Sequence, residues 1–86
     1  MEKDLIGQLA RGFKFTARKY GELSFNRDME SYIGKIGTII EIDTDGSGHH
    51  RIAKIEFEDD YWWYPLAEIR EHLVSPKNIE VQYEIY

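Results

Sequence analysis

An 86-residue, 10.2 kDa chain with no cysteine, two prolines and 42% hydrophobic residues has room for one modest core and no second domain, since a chain of this size buries only roughly 60–65% of its unfolded surface. The absence of cysteine excludes disulfide scaffolds, thiolate metal sites and cysteine nucleophiles, and suits a reducing compartment. Sixteen acids against eleven bases give a net charge of −5, which disfavours a general nucleic-acid binder, and an aromatic share of 14% argues against disorder.

The N-terminus, Met1-Glu2-Lys3-Asp4, opens no apolar signal core, and no stretch approaches the roughly 18 apolar residues of a membrane-spanning helix. Residues 4–10 read as a short helix, with Asp4 as a cap and Leu5 or Ile6 sharing a face with Leu9. Gly12 ends it. Phe13 to Arg18 alternates apolar and polar, the period of a half-buried first strand, with Phe13 and Phe15 on one face and a basic strip of Lys14, Arg18 and Lys19 on the other. Residues 26–33 suit a helical turn with Met29, Tyr32 and Ile33 inward, ended by Gly34. β-branched residues dominate 35–43, a strand with Ile36, Thr38, Ile40 and Ile42 on one face and Gly37, Ile39 and Glu41 on the other. Thr44-Asp45-Gly46-Ser47-Gly48-His49-His50 supplies a polar turn, and 51–58 resumes alternation with Ala53, Ile55 and Phe57 inward, completing a hairpin.

Asp59-Asp60 is a polar break before the strand Tyr61-Trp62-Trp63-Tyr64, which Pro65 stops or confines to a sheet edge. Leu66 to Ile69 gives one helical turn, His72-Leu73-Val74 a brief strand, and 78–86 a C-terminal strand with Ile79, Val81, Tyr83 and Ile85 on one face. The expected fold is mainly β: one domain over 1–86, a small antiparallel barrel of five to six strands with its core at 12–74 and a short N-terminal helix.

Three stretches carry a family likeness: Tyr32-Ile33-Gly34-Lys35-Ile36-Gly37-Thr38-Ile39-Ile40, then Ile55-Glu56-Phe57-Glu58-Asp59-Asp60, then Trp62-Trp63-Tyr64-Pro65. This order of motifs resembles Src-homology-3-like barrels such as those in the repeats of the Mind bomb ubiquitin ligases. In overall length the chain is similar to short uncharacterised tailed-phage proteins. The resemblance implies a barrel that binds protein, with no catalytic residue to carry over and, for a phage protein, the host cytoplasm as its location. Gly37 would let its strand bend at a barrel corner.

Several constellations suggest chemistry. Asp43, Asp45 and Ser47 followed by Gly48 match the start of a calcium loop, but the twelfth position is Lys54 and the flanks are strand-like, so a hairpin turn explains the same residues. His49 and His50 are adjacent, and on a strand adjacent side chains point to opposite faces, so no metal or other cofactor is expected. Glu56 and Glu58 would lie about 7 Å apart on one face, a spacing reminiscent of a glycosidase pair, but so small a barrel offers no deep cleft. With no nucleophile motif or phosphate loop either, the chain is not expected to be an enzyme.

Charge is unevenly distributed. Residues 1–40 hold seven bases and five acids, residues 41–60 two bases and seven acids, and residues 61–86 two bases and four acids. Alternation and the family likeness together put Trp62 and Tyr64 inward, leaving Tyr61 and Trp63 outward beside Asp59 and Asp60. The expected surface is Tyr61, Trp63, Asp59, Asp60, Glu58 and Glu56, holding a protein partner that carries basic residues, because exposed aromatic rings dominate binding hot spots and attract cations. For a phage protein, such a partner would be a host factor held or inhibited. The alternatives are a nucleic-acid contact through Lys14, Arg18 and Lys19, or a structural component self-associating through the 78–86 strand. A monomer is the default.

Overall fold

The β-branched run at the centre of the chain builds the longest strand among the described residues, and the other strands of the main sheet flank it. The computed structural model describes residues 2–75. Seven strands are present there: β1 (Leu9–Arg11), β2 (Lys19–Tyr20), β3 (Leu23–Ser24), β4 (Ile36–Thr44), β5 (Arg51–Glu56), β6 (Tyr61–Pro65) and β7 (Leu73–Val74). One turn of α-helix, α1 (Leu66–Ile69), follows β6, and 3-10 turns occupy Glu2–Leu5, Arg27–Tyr32 and Arg70–His72. Five strands form an antiparallel sheet in the order β6-β5-β4-β1-β7, and β2 pairs with β3 in a separate hairpin. Among the described residues no ladder joins the edges β6 and β7. The observed architecture is therefore a mainly β fold of two antiparallel sheets with a short helix.

Two readings of the N-terminal quarter are corrected. The helix expected over 4–10 is a 3-10 turn ending at Leu5, and Leu9–Arg11 is a strand instead. Gly7 carries a positive φ of 94° and donates to the Ile39 carbonyl at 2.7 Å, which turns the chain into the ladder with β4. Burial alternates as expected only over residues 13–16, with Phe13 and Phe15 buried and Lys14 and Thr16 exposed; Ala17 is exposed as well, and residues 13–18 belong to no ladder. Lys14, Arg18 and Lys19 therefore do not form a strip on a first strand: Lys14 and Arg18 lie in irregular chain and Lys19 opens β2. Apolar alternation alone reports burial of extended chain, whether or not a neighbour pairs with it. In the 26–33 turn, Met29 is buried and Tyr32 packs on the core, but Ile33 is 49% exposed rather than inward.

The expected central hairpin is present, with one irregularity that decides what faces out. Thr38 pairs with Glu56 and Ile39 with Ile55, after which the register shifts so that Glu41 faces Lys54. This bulge leaves Ile40 as the extra residue. Gly37 and Ile39 are buried before it, and Ile42 packs on the core after it, so the inward face changes parity along β4. Gly37 is needed for close approach: a Cβ there would lie 2.6 Å from the Glu56 carbonyl oxygen.

The core collects Leu5, Ala10, Phe13, Phe15, Met29, Ile39, Ala53, Ile55, Phe57, Tyr64, Leu66 and Ile69. Tyr64 is its hub, with ring centroids of Phe13, Phe15 and Phe57 at 5.0, 5.9 and 6.3 Å. Truncating a fully buried aliphatic such as Ile55 in this setting costs about 2–5 kcal/mol. Pro65 ends β6 opposite Ile52, and β7 returns antiparallel to β1 through Leu9–Val74 and Ala10–Leu73. The expected strand at 78–86 lies outside the described residues.

Candidate functional site

The β5–β6 turn places the acids of the sequence at one end of the sheet. Phe57 N–H donates to the Asp60 carbonyl at 2.7 Å, closing a tight turn with Phe57 buried beneath it and Glu58, Asp59 and Asp60 exposed above. An open depression of about 670 Å³ runs along this end. Five of the six residues expected at a partner surface line it: Glu56, Glu58, Asp59, Asp60 and Tyr61. Leu9, Ile36, Gly37, Thr38 and Phe57 complete its lining. Further depressions of about 580 and 450 Å³ flank the turn and share Asp60, Glu58 and Asp59 with it, so the acidic tip projects between three hollows.

The acids here are largely unengaged. Asp60 Oδ1 accepts from the Tyr61 N–H at 2.8 Å. Glu56, Glu58 and Asp59 have no hydrogen bond or ion pair with the described residues. Their field is felt nearby: burial pushes the Tyr32 phenol up, and the charges of Asp60 and Asp59 push it further.

Trp63 stands apart from the depression. The four aromatic residues divide across β6, with Tyr64 fully buried, Trp62 half-buried against the core, and Tyr61 51% exposed on the opposite side. Trp63 is half-buried and pairs with Lys54 across the ladder. The Lys54 Nζ lies 4.3 Å from the Tyr61 ring centroid and 5.1 Å from that of Trp63. The outward ring pair is therefore not an open platform but already holds a cation from its own chain.

Two other carboxylates are engaged internally. Asp45, in the turn read as a possible calcium loop, is only 6% exposed. Its oxygens accept from the Glu22 N–H at 2.9 Å, the Ser47 hydroxyl at 2.7 and 2.9 Å, and the His50 N–H at 3.0 Å. The Glu22 amide above all, with Ser47 and His50, outweighs burial and holds the Asp45 carboxyl far below the usual range. This carboxylate ties the β2–β3 hairpin to the β4–β5 turn. Gly21, at φ +65°, is required there, because a Cβ would lie 2.0 Å from Asp45 Oδ2. Glu68 on α1 does the same for the irregular chain before β2, accepting from the Thr16 N–H at 3.0 Å and from the Tyr20 hydroxyl. Burial pushes the Glu68 carboxyl up, but the Tyr20 and Thr16 hydrogen bonds and the nearby His72 outweigh it, and the net shift is downward.

Among the remaining candidates, His49 and His50 are exposed, and the His50 ring meets the edge of Tyr20 at 5.8 Å. His72 stacks on Phe13 at 3.9 Å. The described residues contain no group of three or more His, Cys, Asp or Glu side chains placed to hold a metal ion. Lys14, Arg18 and Lys19 are exposed on a segment separate from the acidic depression. No helix of the described residues is long and apolar enough to cross a membrane.

Sequence reasoning missed two apolar residues of the lining, Leu9 and Ile36, and the ammonium over Tyr61. A signal for Ile36 was present: β4 carries isoleucine on both of its faces, Ile36 and Ile40 being 42% and 38% exposed, so a second apolar surface was written into its alternation. No family model, curated protein or solved structure matches the chain.

Proposed function

We propose that the chain is a non-enzymatic protein-binding module of the Src-homology-3-like barrel kind, and that it holds a basic segment of a partner protein against the acidic end of its sheet. The observation carrying this reading is the convergence of Glu56, Glu58, Asp59, Asp60 and Tyr61 on one open depression that Leu9, Ile36 and Phe57 also line. Carboxylates without cationic partners beside these apolar side chains suit a chain segment that presents lysine or arginine together with apolar side chains. The hollow is open rather than enclosed, which favours binding over acid–base chemistry needing a desolvated carboxyl. Support for a barrel comes from the β2–β3 hairpin, which lies against the edge strand β6. The likeness to short tailed-phage proteins makes a basic surface on a host protein the partner class we propose, with its occlusion as the effect.

The test is calorimetric titration with hexalysine of the intact chain and of an Asp59→Asn, Asp60→Asn, Tyr61→Ala variant. Binding by the intact chain should weaken as salt is raised. The variant should bind about tenfold or more weakly, a difference of about 1.4 kcal/mol, with little change in its thermal midpoint. Equal affinities for the two chains would refute the proposed surface.

A further inference from the structure

The outer side of β5 and β6 contains a formed cation site, and the chain fills it itself. Lys54 Nζ sits 4.3 and 5.1 Å from the Tyr61 and Trp63 ring centroids and 3.4 Å from Glu41 Oε1, with the lysine side chain only 19% exposed. Two aromatic rings and one carboxylate around a single ammonium form an arrangement that attracts a cationic side chain. Tyr61 belongs to this site and to the acidic depression at once. A cation drawn in by Glu58 and Asp59 therefore arrives beside a ring whose ammonium position is taken.

Resting on the proposed function, we infer that the position held by Lys54 is the site for a lysine side chain of the partner, and that Lys54 is its built-in competitor. The partner's ammonium enters along the depression and takes the place over Tyr61 and Trp63, while Lys54 moves out to solvent. One ammonium replaces another, so the exchange adds little affinity, and Lys54 lowers the affinity the ring pair would otherwise give a partner's lysine. A ligand without lysine leaves Lys54 where it is and gains only from the acidic rim. Lys54 thus sets the strength of the site for a partner's ammonium.

The inference is tested by NMR titration of the intact chain, Lys54→Met and Lys35→Met with hexalysine. Lys35 lines the neighbouring hollow with its Nζ 5.2 Å from the Tyr32 ring centroid, so its replacement removes the same charge and a ring contact of similar kind without touching Tyr61 or Trp63. In the free protein the Lys54 ε-methylene protons should resonate upfield, shielded by the rings, and should return to the ordinary lysine position at saturation. Lys54→Met should tighten binding about two- to fivefold, the range of an exposed cation–π contact, while Lys35→Met changes it less. Lys54 signals that stay upfield at saturation, or equal gains from the two variants, would overturn the inference. The signal measurement needs no variant, so misfolding of Lys54→Met leaves the question decidable. If Asp59→Asn and Asp60→Asn weaken binding while Lys54 stays in place, only this inference fails. If they leave binding unchanged, the proposed function fails with it.

Discussion

Asp45 and Glu68 are buried and receive amide and hydroxyl donors, whereas Glu56, Glu58 and Asp59 face water with no hydrogen bond or ion pair among the described residues. Both groups are carboxylates of one small acidic chain, and their charge alone does not separate them. Burial and donor supply do. The first pair fastens the irregular chain between β1 and β4 to the sheet: Asp45 from the β4–β5 turn, Glu68 from α1. The second group collects at and beside a hairpin tip, where no described residue forms an ion pair with it. The difference teaches that an acidic segment contains both structural and surface charge, and that only the surface part is available to a partner.

The sharpest way to break this comparison is at Gly21. Gly21→Ala should destabilise the protein by at least about 1–3 kcal/mol through left-handed backbone strain, and further by pushing the Asp45 carboxylate from its donors. Denaturant titration measures this, and a variant as stable as the parent would show that Asp45 does not anchor the hairpin. A smaller effect should follow acidification. Asp45 and Glu68 both have carboxyl pKa values lowered by folding. Their contribution is therefore complete above the unfolded values of about 3.9 and 4.3 and is lost as pH falls below them through the folded values. The thermal midpoint should drop between pH 7 and pH 3, and Asp45→Asn should flatten that drop. The smallest effect belongs to the tip. Asp59→Asn with Asp60→Asn should alter stability by no more than about 0.5 kcal/mol, in contrast to the Gly21 variant.

Much of the sheet was legible from the sequence. The alternation of Ala53, Ile55 and Phe57, the β-branched run of β4, the polar turn at 45–50 and the single helical turn after Pro65 each state a local preference that the fold keeps. The N-terminal quarter was not legible. Leu9–Arg11 is too short for a period to show, and its strand identity comes from pairing with Ile36–Thr38 far along the chain. The bulge at Ile40 was hidden for the same reason, since one extra residue changes which isoleucines face inward without changing their composition. At the candidate site, the acids and Tyr61 could be found from charge clustering and strand parity. Lys54 over the rings could not, because the cross-strand register that sets it opposite Trp63 is a tertiary fact.

The most direct test of the acidic end as the working surface is a backbone amide NMR titration of the intact chain with hexalysine at low salt. The account predicts shifts concentrated at residues 36–38 and 56–61, with the amides of Thr16, Glu22 and His50 unmoved beside their internal carboxylates. Shifts centred on those three amides, or none anywhere at millimolar peptide, would contradict it.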